Sequence, residues 1–399
     1  MAVATTASAH GSATDDVSDV IAETAAAFAA KKIAPFALEW DASKHFPIDE
    51  LREAAELGMA AIYCDEEFGG SGLTRLDGVR IFTELAVADP TTSAFLSIHN
   101  MATWMIDQFG TVEQRAKWIP KLAPMELVAS YCLTEPSAGS DAAALRTKAV
   151  RDGDHYVLDG VKQFISGGGV SDVYVVMART GGDGPKGIST FIVENGTPGL
   201  SFGAQEKKMG WNAQPTAQVV FDGVRVPAAN MLGGPAGEGT GFRIAMNGLN
   251  GGRLNIAACS LGGARQALDL AKSYLRDREA FGGSLIDEPT IRFTLADMAT
   301  DIEASRLILE RAATALDNDH PDKVALCAMA KKFVTEHCYE VADKALQLHG
   351  GYGYLHDYGV EKIVRDLRVN RILEGTNEIM RLVIGRAVAA DATGGGRSR

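Results

Sequence analysis

The hydrophobic pattern of this chain changes its period twice, and that change limits the fold more than any single residue does. From about Asp15 to Lys121 apolar residues recur at helical spacing, with breaks at Phe68-Gly69-Gly70-Ser71-Gly72 and at Asp89-Pro90. From about Val128 to Val226 the chain turns to short apolar runs split by turn dipeptides, the signature of strands. His155 to Ser166, with Asp159-Gly160 between two strand-like runs, reads as a β-hairpin, and Asp222-Gly223 repeats the device inside Val219 to Val226. Asp172 to Ala178 and Ile188 to Val193 read as further strands. A glycine-rich link, Gly233 to Gly241, then returns the chain to long helices.

Those helices carry apolar stripes. Leu254, Leu261, Leu268 and Leu275 recur at heptad spacing, and Ala257, Ala264 and Ala271 follow the first three of them. Small residues in such a stripe let helices approach closely. Met298, Ile302, Ser305, Leu309, Ala312 and Leu316 form a second stripe; Phe333, His337, Val341, Ala345 and Leu348 form a third. Stripes of this kind predict core, not function. The expected fold class is α+β. A disordered tail (1–14) precedes an N-terminal α-helical domain (15–127), a middle antiparallel β domain (128–236) and a C-terminal four-helix-bundle domain (237–399).

Composition narrows the function classes. A formal net charge of -12 over 399 residues argues against a nucleic-acid or anionic-membrane surface. No apolar run approaches the length of a membrane span. Met1 to Ala13 contains no Lys or Arg, so it resembles neither a signal nor a transit peptide and reads as a frayed tail. Cys64, Cys132, Cys259, Cys327 and Cys338 are scattered and odd in number, which suits a reducing compartment without a disulfide framework. They show no metal-ligand spacing; His337-Cys338 is better read as a packed helix face. The expectation is a bacterial cytoplasmic protein.

Local motifs remain ambiguous on their own. Gly182-Asp-Gly184-Pro-Lys-Gly187 matches a dinucleotide-loop pattern, but a strand follows it where a helix is required, and Pro185 sits inside it. It reads as a loop between strands. Tyr131-Cys132-Leu133-Thr134-Glu135-Pro136-Ser-Ala-Gly139-Ser140-Asp141 is either a cradle for an anion or polar ring edge, or an ordinary turn, with little to choose between them. Gln347-Leu-His349-Gly350-Gly351-Tyr-Gly353-Tyr354 and Arg278-Glu-Ala-Phe281-Gly282 are equally open. In Arg371-Ile-Leu-Glu374-Gly375-Thr376-Asn377-Glu378-Ile-Met-Arg381 a glutamate and a glycine interrupt a helical pattern. By itself this is a helix joint, with Gly375 at positive φ and Thr376 or Asn377 capping the next helix.

Taken together and in this order, the segments resemble the acyl-CoA dehydrogenase family over nearly the whole chain. The most specific pieces are Tyr131–Asp141, Gln163-Phe-Ile-Ser166, Arg278–Gly282 and Gln347–Arg386; Ser97–Met101, Lys208–Asn212, Gly248–Arg253 and His349–Leu355 point within the family to members acting on short branched-chain acyl-CoA. The resemblance implies FAD as cofactor and Glu374 as the base that removes the α-proton of the thioester while the β-hydrogen leaves as hydride. Some relatives carry the base just before the Arg of Gly-Gly-Arg, where this chain has Gly252. Tyr131, Cys132, Leu133, Thr134, Gly139, Ser140, Ile165 and Ser166 would hold the flavin edge, and Phe164, where the family often has Trp, would lie against the ring. Arg278 and Phe281, with Gln347, Gly350 and Gly351 of a neighbouring subunit, and Thr376 and Glu378 would hold the rest of FAD. A Gln that often assists is replaced by Pro289. Ser140, Asn250, Gly251, Gly252, Arg253 and Arg386 would face the acyl-CoA. An electron-transferring flavoprotein as acceptor and a homotetramer are implied as well. A flavin monooxygenase or oxidase, or a silent acyl-CoA-binding scaffold, would share the fold; Glu374 counts against the monooxygenase and the scaffold.

Overall fold

A computed structural model describes residues 13–392. Of the expected tail, residues 1–12 lie outside the described residues, and the first helix already begins at Ala13. Among the described residues six α-helices come first: α1 (Ala13–Phe28), α2 (Ala37–Ser43), α3 (Ile48–Glu56), α4 (Arg75–Ala88), α5 (Pro90–Phe109) and α6 (Val112–Leu122). Their boundaries follow the capping chemistry. Thr74 and Asp77 form a capping box on α4, and Thr111 and Gln114 form one on α6. At the predicted Asp89-Pro90 break, Asp89 accepts from Thr91 N at 3.3 Å and Thr92 N at 3.0 Å, with Pro90 in the first turn of α5.

Seven strands make the middle sheet: β1 (Ala129–Cys132), β2 (Lys148–Asp152), β3 (His155–Ser166), β4 (Val173–Arg179), β5 (Ile188–Glu194), β6 (Leu200–Phe202) and β7 (Thr216–Pro227). Their order is β1-β4-β2-β3-β7-β6, with β5 paired to β4. The expected antiparallel character holds for β2–β3, β3–β7, β4–β5 and β6–β7, whereas β1 runs parallel to β4, and β2 meets β4 through one parallel pair. The loop 180–187 joins β4 to β5, as the strand reading of the Gly182 segment requires.

The Asp159-Gly160 hairpin is corrected. His155–Ser166 is one continuous strand, and the register slips between Leu158 and Gly160. Asp222-Gly223 lies opposite, and Gly223 N donates to Asp159 Oδ1 at 2.8 Å. The two dipeptides therefore meet as a bulge across β3 and β7 instead of making turns. The actual hairpin bend is Gly153-Asp154, between Asp152 and His155, which pair directly.

The remaining helices are α7 (Gly241–Asp277), α8 (Pro289–Asp317), α9 (Lys323–Leu348), α10 (Val360–Arg368) and α11 (Asn377–Ala392), with a small ribbon of β8 (Glu279–Ala280) and β9 (Gly283–Ser284) after α7. Helices α7, α8 and α9 pack pairwise and α11 lies on α9, while α7 also packs on α4 and α5. Leu254, Leu261, Leu275, Ala257, Ala264 and Ala271 are buried, as the heptad spacing requires. The third stripe is displaced: Phe333 and His337 are only half-buried, and the core face of α9 is Cys327, Val334, Cys338, Val341 and Ala345. Among the described residues no helix is long and apolar enough to cross a membrane.

Candidate active site

The interruption after Arg371 is a joint between α10 and α11 in which Glu374 (φ 56°) and Gly375 (φ 88°) are both left-handed. Glycine tolerates that conformation, but a glutamate there is strained by about 1–3 kcal/mol and needs to be held. It is held at successive carbonyls. Arg253 of α7 donates from Nε to Glu374 O at 3.2 Å, and Lys331 of α9 donates from Nζ to Gly375 O at 2.9 Å. Beyond the joint, Thr376 Oγ1 accepts from Ile379 N at 3.3 Å and caps α11, so the structural reading of the segment is also correct.

The carboxyl of Glu374 points inward. As a residue Glu374 is half-buried, yet its Oε2 is shielded from solvent and has no hydrogen-bond partner among the described residues. Burial pushes its pKa up to about 7, against the opposing pull of Arg253 and then Lys331. Tyr131 is placed beside it; its hydroxyl is likewise buried without a partner, and burial together with the Glu374 charge raises its pKa. A Cβ built on Gly252 would stand 2.5 Å from Glu374 Oε2 and 3.0 Å from Met101 Sδ. The helix position and the joint position thus address one point in space. At the adjacent Gly251 a Cβ would stand 2.4 Å from an Arg75 guanidinium nitrogen. Arg75 is itself stacked on Tyr63 at 3.8 Å and Trp104 at 4.5 Å.

Arg253 also donates from Nη1 to Asn250 Oδ1 at 2.8 Å, so its guanidinium ties the joint to α7. Asn250, Gly251 and Gly252 are buried on the same stretch of α7.

The strand end that leads to this pocket is fixed from below. His99 of α5 accepts from Ala129 N at 3.0 Å through Nδ1, so its Nε2 carries the proton donated to Leu122 O at 3.0 Å. Lys162, fully buried, donates to Leu133 O at 3.2 Å and to Glu135 Oε1 at 2.7 Å. Gln163 N donates to Thr134 O at 2.8 Å. The side chains of Cys132 and Ile165 belong to the sheet core and that of Leu133 to a neighbouring apolar cluster, which leaves only their backbone for a ligand. Phe164, at a second β3 bulge, has φ 60° and is 64% exposed. Next to it Ser166 Oγ accepts from Gln214 Nε2 at 2.5 Å, leaving its own proton to donate. An exposed flat ring beside a hydroxyl and a half-buried Thr134 fits the face and polar edge of a flavin.

A second group is assembled elsewhere. Arg278, Phe281, Gln347, Gly350 and Gly351 line one groove of about 520 Å³ together with Tyr274 and its aromatic neighbours. Gly139 and Ser140 are exposed in the loop after β1, and Arg386 is exposed on α11. Glu378 is exposed near the start of α11, where Arg381 donates to it at 3.3 Å. Lys331 was not foreseen as a site residue. Its signal was positional: of the pair Lys331-Lys332, Lys331 falls on the helix face shared with Cys327 and Val334.

Three family descriptions match in order: acyl-CoA dehydrogenase N-terminal domain at residues 15–126, middle domain at 130–224 and C-terminal domain at 239–389. The chain belongs to the acyl-CoA dehydrogenase family, whose members are FAD-dependent oxidoreductases. It is 55% identical to the mitochondrial isobutyryl-CoA dehydrogenase of Bos taurus over 90% of this chain and 86% of that one. The butyryl-CoA dehydrogenase structure from Megasphaera elsdenii is 38% identical, covers 94% of this chain and 98% of its own, and superposes with a TM-score of 0.90. A glutaryl-CoA dehydrogenase from Mycobacterium smegmatis in complex with FADH2 is 28% identical, covers 94% and 95%, and gives a TM-score of 0.88.

Proposed function

We propose that this enzyme dehydrogenates a short branched-chain acyl-CoA, converting isobutyryl-CoA to methacrylyl-CoA in valine degradation, with Glu374 as the base. The observation that carries the chemistry is the shielded Glu374 Oε2, without a partner among the described residues, on a carboxyl whose pKa is raised to about 7. A carboxylate tuned near the working pH suits proton abstraction from a weak carbon acid. Support for the substrate comes from the 55% identity to an isobutyryl-CoA dehydrogenase.

Each residue then has a task. Glu374 takes the α-proton onto the oxygen that faces Gly252, and Gly252 leaves room for that oxygen. Arg253 keeps the Glu374 backbone in place. Phe164, Thr134 and Ser166 hold the flavin, Ser166 by a hydroxyl that Gln214 orients. FAD, when bound, accepts the β-hydrogen as hydride. Arg278, Phe281, Gln347, Gly350 and Gly351 hold its distal half across a subunit boundary. The exposure of Phe281 (93%) and Tyr354 (83%) supports a covering second copy and a homotetramer. Ser140 and Arg386 contact the CoA portion at the surface. An electron-transferring flavoprotein removes the electrons, and the setting is the bacterial cytoplasm. The domain divisions at 127/128 and 236/237 belong to the same reading.

The test is anaerobic bleaching of the flavin in single turnover, followed by a kcat/KM panel of isobutyryl-, 2-methylbutyryl-, isovaleryl- and butyryl-CoA. Isobutyryl-CoA should rank first, and Glu374→Gln should bind FAD yet bleach at least about 10²-fold more slowly. A wild-type rate in Glu374→Gln would reduce Glu374 to a joint residue. A panel led by a straight chain would replace the substrate.

A further inference from the structure

Lys331 is fully buried on α9 among Cys327, Ala328, Val334 and Cys338. A buried ammonium is costly unless its donors and its charge are both answered. Its donors reach Gly375 O at 2.9 Å and Asn377 Oδ1 at 2.9 Å, and Asn377 Nδ2 is tied to Thr335 Oγ1 at 3.1 Å. Both acceptors are neutral. The ionised groups around it are Glu374 from the joint, Arg253 from α7, Glu378 from α11 and Glu336 from its own helix. Burial lowers Lys331 to about 7, and Glu374 is the largest of the charges opposing that shift.

We propose that Lys331 is a positioning residue for the base: anchored to Gly375 and Asn377, it holds the left-handed joint closed from α9 while its charge favours the carboxylate form of Glu374. The proposal rests on Glu374 being the base. Its geometric basis is that two cations on two different helices, Arg253 on α7 and Lys331 on α9, bind the consecutive carbonyls of residues 374 and 375. Arg253 reaches the Glu374 carbonyl, and it is Lys331 that holds the carbonyl of Gly375. The charge effect has a definite pH sense. Lys331 assists while it is protonated, so its influence on Glu374 is greatest on the acid side and fades as the ammonium titrates away.

The experiment uses the FAD-loaded enzyme and its Lys331→Met, Lys331→Gln and Glu374→Gln variants. The rate of anaerobic flavin bleaching by isobutyryl-CoA is followed across the neutral range. Lys331→Met should move the acid limb up by about one pH unit, losing about tenfold in rate on that limb and less on the alkaline side. Lys331→Gln keeps donors for Gly375 and Asn377 but carries no charge, so it should show the same displacement with a smaller alkaline loss. An acid limb in the wild-type place in both variants overturns the proposal, and so does a loss equal at every pH, the mark of a purely structural role. If Lys331→Met does not retain FAD, the acid limb of Lys331→Gln decides by itself. Those failures leave the base reading intact when Glu374→Gln is inactive; bleaching by Glu374→Gln at the wild-type rate removes the base instead.

Discussion

Arg253 donates from Nε to the backbone carbonyl of Glu374, the residue whose carboxyl it also attracts. One side chain therefore fixes where the joint lies and influences whether its acid is ionised. The planar fork is needed, because Nη1 simultaneously reaches Asn250 Oδ1. Arg253→Lys keeps the charge and cannot span both acceptors. It should retain FAD and slow flavin bleaching by about 10²-fold, the scale of an ångström-level misplacement. Stopped-flow reduction with isobutyryl-CoA checks it, and an unchanged rate contradicts it.

The second prediction concerns pH. On the proposed role Glu374 acts as a carboxylate, and its pKa is raised to about 7. The bleaching rate should therefore fall about tenfold per unit below that value and level off above it. Stability runs in the other sense. A carboxyl whose folded pKa lies above its unfolded one stabilises the fold below the unfolded value, and the benefit is lost as pH rises through about 7. In Glu374→Gln both dependences should disappear from the profiles.

Gly252→Ala probes the crowding at the base. The new methyl would stand 2.5 Å from Oε2 and 2.9 Å from Cδ of Glu374, so the carboxyl has to swing away. Loss of bleaching by at least about tenfold is expected, with FAD content and melting temperature close to wild type. A variant that bleaches normally would show that the carboxyl works from another rotamer.

His99 gives an acid-stability prediction of opposite sign to that of Glu374. Its Nδ1 accepts a backbone N–H, and burial lowers its pKa from 6.5 to about 4. Stability is complete above the unfolded value and is lost as pH falls through the folded one, up to roughly 3 kcal/mol for this group. Urea midpoints between neutral and mildly acidic pH should drop in the wild type and drop less in His99→Gln. Parallel slopes in the two proteins would acquit His99.

Ser166→Ala addresses the flavin. Because Gln214 Nε2 donates to Ser166 Oγ, the hydroxyl proton is directed away from Gln214. Its removal should shift the flavin absorption maximum and reduction potential while leaving the fold unchanged. Gln214→Ala should shift both the same way by a smaller amount. Identical spectra in all three proteins would disconnect Ser166 from the ring.

The helix–sheet–helix order was legible in the sequence because hydrophobic period is a local property of each segment. The Asp89-Pro90 break and the Gly375 joint were legible for the same reason, as capping and positive φ are settled within a few residues. Asp159-Gly160 misled because the dipeptide reports only an irregular backbone; whether it turns or bulges depends on Asp222-Gly223, which is remote in sequence. Arg253 was located on α7, but its hydrogen bond to the Glu374 carbonyl was not legible, since that contact depends on how the later joint folds over it. The displaced stripe on α9 has a similar origin: Phe333 and His337 pack on each other at the edge, with ring centroids 4.1 Å apart, and Cys338 takes the inner place.

The paired bulge of β3 and β7 also sets a rule of parity. Along a strand, neighbours face opposite sides, and each one-residue slip exchanges the sides beyond it. Phe164 and Ser166 lie downstream of the Gly160 irregularity, and Ile165 between them is buried in the sheet. Deleting Gly160 alone would turn Phe164 and Ser166 inward and bring Ile165 out, exchanging a polar edge for an aliphatic one. Here a chain-length change of a single residue is equivalent to replacing three side chains at once.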